Sequence, residues 1–84
     1  MKLERYQQEM TCAEAMGRLE RPAYWQAFKR GLQRAFFGEQ VVSAIEHHAW
    51  LGMLQHADPA VCERGTGYRD GYAMGIEATG GREE

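Results

Sequence analysis

The 84 residues, 44% hydrophobic and 11% aromatic, are enough for one folded domain; they exclude a second core and exclude a chain left disordered for want of apolar surface. A formal net charge of −2 sets the chain apart from strongly basic nucleic-acid binders. The charge is uneven: between positions 18 and 34, Arg18, Arg21, Lys29, Arg30 and Arg34 oppose Glu20 alone for a local +4, whereas the chain from Glu39 onward carries −5.

The first ten residues are interrupted by charges and offer no continuous apolar run of the kind a secretion signal needs. Nowhere do apolar residues approach the roughly 18 needed to cross a bilayer, so a cytoplasmic location without a membrane partner is expected. From position 2 to about 20, Leu3, Tyr6, Met10, Ala13 and Met16 with Gly17 recur at three- and four-residue steps, which predicts a first helix. Arg21-Pro22 ends it, because a residue before proline avoids the helical region while proline suits the first turn of a new helix. The second helix has the strongest periodicity in the chain. Tyr24, Ala27, Phe28, Gly31, Leu32, Ala35 and Phe36 form its apolar face, with Trp25 alongside, and Gln26, Lys29, Arg30, Gln33 and Arg34 fall mostly opposite. Gly38 suits the left-handed position that closes a helix.

Residues 39 to about 57 place Val42, Ile45, Ala49 and Met53 on one stripe, widened by Val41, Trp50, Leu51 and Leu54, and predict a central third helix. Asp58-Pro59 repeats the stop-and-start logic, with aspartate as an N-cap, proline at the first helical position and a short helical turn through Arg64. Glycines then become frequent, and each one inside a helix costs about 1 kcal/mol of propensity. Gly67, Gly71 and Gly75 nonetheless share a helical spacing, as do Tyr68 and Tyr72, which predicts a last helix over about 67–78 with a smooth glycine strip beside a tyrosine ladder. The expected architecture is all-α: a small bundle of three longer helices plus a glycine-rich C-terminal helix, with residues 1–79 as one domain and 80–84 as a flexible tail.

No constellation for catalysis or cofactor binding emerges. His47, His48, His56, Cys62 and Glu46 are residue types that bind zinc, but His48 and His56 lie two helical turns apart and adjacent histidines diverge, so no metal is expected. Ser43 and His47 share a helix face without a nucleophile elbow or an oxyanion motif, and Gly65-Thr66-Gly67 lacks the strand, later glycine and lysine of a phosphate loop. Cys12 and Cys62, fifty positions apart, read as two buried or idle thiols in a reducing compartment. The expectation is that the chain is not an enzyme.

What remains is binding. Lys29, Arg30 and Arg34, with Trp25 nearby, form a basic face, and Tyr68, Arg69 and Tyr72 stand beside the glycine strip; these seven are the candidate partner-binding residues. The strip is expected to pack within the monomer, a homodimer seam being the alternative. Gly-Tyr-Arg-Asp-Gly-Tyr-Ala-Met-Gly at 67–75 resembles the glycine-repeat helices of flagellar and secretion-system stator proteins. Arg30-Gly31 with Gly38, then Trp50-Leu51-Gly52, is faintly similar to the ribosome modulation factor pattern, a strongly basic family whose Cys-Pro-Tyr connector this chain lacks. Neither resemblance carries a function across. The expected function is a small protein-binding module, an adaptor, regulator or inhibitor of a larger protein, of the style that bacteriophages and mobile elements encode. The alternative is a nucleic-acid- or ribosome-associated protein using the basic second helix.

Overall fold

A computed structural model describes residues 2–80. It contains α1 (Lys2–Leu19), α2 (Pro22–Phe37), α3 (Ala44–Gly52) and α4 (Pro59–Ala78), with short 3-10 turns at Gly38–Gln40 and Met53–Gln55. The described residues hold no strand, so the all-α expectation stands. None of these helices is long and apolar enough to cross a membrane.

The breaks between α1 and α2 and before α4 fall where proline placed them. Arg21 takes the left-handed conformation (φ 51°, ψ 56°) and Pro22 begins α2. Asp58 caps α4 by accepting a hydrogen bond from the Ala60 N–H at 3.0 Å, with Pro59 at the first helical position. Gly38 closes α2 at φ 75°, its N–H bonded to the Arg34 carbonyl. The buried face of α2 is Tyr24, Ala27, Phe28, Gly31, Leu32 and Ala35, as its periodicity predicts.

The third segment differs from the expectation. No helix starts at Glu39; after the 3-10 turn the chain bends, buries Val42 completely and restarts at Ser43, whose hydroxyl accepts a hydrogen bond from the Glu46 N–H at 3.1 Å. The resulting α3 has no buried residue and is not central. The physical reason is the cap: Ser43 with Glu46 three residues on is a helix-start signature, and it overrides the apolar stripe that runs through it. Conversely, the short turn through Arg64 and the last helix are one continuous α4, the longest helix at 20 residues.

That continuity comes from what the glycines meet. The contact pairs advance in the same direction along both helices, so α2 and α4 run parallel. A Cβ at Gly67 would overlap the Tyr24 carbonyl oxygen, one at Gly71 the Phe28 carbonyl oxygen, and one at Gly75 the Ala35 methyl. Gly31 of α2 receives the Tyr68 carbonyl and the Tyr72 amide in return. The two backbones thus press into each other from both sides, and the strip packs within the chain. α1 lies antiparallel on α2, Tyr6 near Phe36 and Phe37 (ring centroids 5.2 and 4.9 Å) and Gly17 near Trp25. Ala13, Tyr24, Phe28 and Leu32 form one core cluster; Ala27, Val42 and Tyr68 form a second on the α3 side. Gly80, the first residue of the expected tail, forms a turn at φ 85°, and 81–84 lie outside the described residues.

Candidate binding surfaces

The basic residues of α2 project from the side opposite its buried stripe, and the acidic half of the chain folds onto them. Arg30 donates to both carboxylate oxygens of Glu46 at 2.7 and 2.9 Å, to Gln33 Oε1 at 2.9 Å and to the Val41 carbonyl at 3.2 Å. Arg34 donates to the Val42 carbonyl at 2.7 Å and lies 4.0 Å from Glu39. Lys29 lies 3.7 Å from Glu14 of α1. The expectation of an open basic face is therefore corrected: Arg30 and Arg34 brace the α2–α3 connection, because carbonyls freed by the bend at Val41 and Val42 need donors. Arg30 and the Trp50 indole N–H hold the Glu46 carboxyl down at about 2.

Tyr68 is likewise not at a surface. It is fully buried because α3 covers it: Trp50 stacks on its ring at 5.3 Å and 2°, Tyr72 at 6.5 Å, and its hydroxyl lies 2.6 Å from His47 Nδ1. Burial pushes Tyr68 up to about 12, so the phenol is un-ionised and, with the His47 ring proton on Nε2, donates to Nδ1. Burial first, then the neighbouring Arg34 and His48, holds His47 below its ordinary value. Tyr72 is half-buried with its ring 4.8 Å from that of His47. Arg69 is exposed and reaches Asp70 at 3.2 Å, while Asp70 accepts the Tyr24 hydroxyl at 2.5 Å. The seven candidates do not form one site: Arg30, Arg34, Tyr68 and Tyr72 gather around α3, Arg69 stands off on α4, and Trp25 and Lys29 line an open groove between α1 and α2 with Ala13, Gly17, Arg18 and Gln26. The Trp25 indole N–H is buried and has no hydrogen-bond partner among the described residues.

No group of three His, Cys, Asp or Glu able to hold a metal occurs among the described residues. His56 Nδ1 accepts the Asp58 N–H, and the Ser43 hydroxyl is engaged as a cap instead of facing His47 as a nucleophile would. The surface feature that periodicity hid is apolar. Phe37 (41% exposed), Val41 (42%) and Ile45 (84%) stand on the connection from α2 into α3. Val41 and Ile45 belong to the predicted third-helix stripe, and the restart at Ser43 is what turns them outward. Comparison with protein families, curated proteins and solved structures finds no match to this chain.

Proposed function

We propose that the chain is a non-enzymatic protein-binding module, an adaptor, regulator or inhibitor that acts in the cytoplasm by covering part of a larger protein. The observation that carries this reading is three exposed apolar residues, Phe37, Val41 and Ile45, spaced four apart from the end of α2 into the start of α3. Single exposed apolar residues, such as Leu3 and Leu19 on α1, are ordinary, whereas three within one short stretch of chain support a contact surface. This set is also held in place: Val42 is buried beneath it, Arg30 and Arg34 bind the Val41 and Val42 carbonyls, and Gly38 bonds back to α2. A rigid presenting segment loses little entropy on binding. Covering Ile45 alone would contribute about 2 kcal/mol. Free Cys12 on α1 and free Cys62 on α4 fit a reducing compartment.

Binding of nucleic acid through α2 is the weaker reading, since Arg30 and Arg34 would have to release Glu46 and the Val42 carbonyl to reach phosphate. The test compares tagged wild type with a Val41→Glu, Ile45→Glu variant, shown by circular dichroism to be folded, as bait in a lysate of the native host. The expected outcome is one host protein retained by the wild type at low and high salt and lost by the variant. Retention by both, or recovery of nucleic acid that falls away with salt, contradicts the reading.

A further inference from the structure

α3 is the helix with the least apolar anchorage. None of its residues is buried, and it is held by the Arg30–Glu46 pair, by Trp50 and Leu51 against the Tyr68 cluster, and by the His47–Tyr68 hydrogen bond. The last of these depends on protonation. The Tyr68 hydroxyl lies in the core, and among the described residues His47 Nδ1 is its one hydrogen-bond partner. In the Nε2–H tautomer of neutral His47, that nitrogen accepts the phenol proton. Once Nδ1 is protonated it can only donate, so the phenol can keep the contact only as an acceptor, with its own hydrogen turned away. The phenol hydrogen then loses its acceptor, and the new cation faces a largely positive set of neighbours. From α2 these are Arg30 and Arg34, from α3 Glu46 and His48, and from α4 the neutral Tyr68 and Tyr72. The single carboxylate in that set already accepts three hydrogen bonds, from Arg30 twice and from Trp50.

We propose that α3 is an acid-released flap: protonation of His47 frees Ala44–Gly52 from α2 and α4 and uncovers the Tyr68, Val42 and Ala27 face, while the α2–α4 glycine seam stays closed. The inference stands independently of the partner-binding reading, because it rests on the His47–Tyr68 geometry and on the thin anchorage of α3. The sign follows from burial. His47 is held below 6.5 in the folded state, so its neutral contact is fully present above 6.5 and weakens as pH falls below that value. The close approaches at Gly67, Gly71 and Gly75 are to backbone atoms of Tyr24 and Phe28 and to the Ala35 methyl, none of which titrates.

Amide hydrogen exchange on the full chain, corrected for intrinsic rates, reads the flap directly at about pH 7.5 and about pH 5.5. In the wild type, protection across α3 is expected to fall severalfold, with about tenfold as the ceiling for one histidine, at the lower pH while α2 and α4 keep theirs. A His56→Gln variant should behave like the wild type, and His47→Gln, which cannot charge, should lose the pH dependence. Unchanged α3 protection in the wild type, an unaltered response in His47→Gln, or simultaneous loss of protection in all four helices overturns the proposal. If His47→Gln opens α3 at both pH values, ring NMR of the wild type decides: His47 must titrate in step with the loss of α3 protection, and titration at a different pH overturns it.

Discussion

Arg30 commits its half-buried guanidinium to Glu46 and the Val41 carbonyl, and the consequence is a measurable acid sensitivity. Glu46 is held at about 2, far below the 4.5 of a free carboxyl, chiefly by the Arg30 hydrogen bonds and then by Trp50. Its contribution is therefore fully present above 4.5 and lost as pH falls from 4.5 towards 2. Both side chains are about a third exposed, so solvent screens the pair, and Arg30→Gln should lose about 1 kcal/mol at neutral pH. Urea denaturation at neutral pH and at pH near 3 checks this: the gap between the proteins should narrow in acid, and a constant gap would assign Arg30 a packing role only. At the alkaline end, Tyr24 and Tyr68 are both pushed up to about 12, mainly by burial. Stability should fall as pH rises from 10 towards 12, with these two of the four tyrosines ionising only as the fold opens in an ultraviolet titration. The roles of Arg30 and Arg34 were not legible in the sequence, because their acceptors are carbonyls exposed by a bend that periodicity does not reveal.

At the scale of elements, the glycine seam was legible and the third helix was not. Equal spacing of Gly67, Gly71 and Gly75 identifies a smooth helix face, and the structure supplies the Tyr24 and Phe28 carbonyls that need it. Gly71→Ala gains about 1 kcal/mol of helix propensity, yet its Cβ would lie 2.7 Å from the Phe28 carbonyl carbon and 2.9 Å from its Cα, so the helices must separate. A net loss of about 2 kcal/mol, and more for Gly71→Leu, is expected in chemical denaturation. Gly52→Ala provides the contrast. Gly52 has helical angles (φ −63°, ψ −25°) and nothing within 4 Å of a built Cβ, so alanine should stabilise by about 0.5–1 kcal/mol. If the two variants shift in the same direction, the seam is not tight. For α3, the Ser43-to-Glu46 spacing was the available signal, and the stronger apolar pattern across Val42, Ile45 and Ala49 masked it.

Across the whole molecule, α2 and α4 form a parallel spine, α1 lies along it, and α3 crosses the connection as a thinly anchored cover, in a slab 38 × 30 × 18 Å. Helical content and the buried stripe of α2 follow from local pattern, but partner choice does not: periodicity shows which face a helix hides and not which backbone meets it. Only the reciprocal notches, Gly31 facing Tyr68 and Gly71 facing Phe28, specify that α4 and not the third segment is central. Proteins open locally in proportion to how little holds each element, so the spine should be the last part to open. Native-state amide exchange at neutral pH tests this most directly. The slowest amides are expected at 27–35 of α2 and 68–75 of α4, exchanging together at the rate set by global unfolding, with α3 faster. Slowest exchange in α1 or α3, or protection in α4 that is lost ahead of theirs, would contradict a molecule built on the α2–α4 seam.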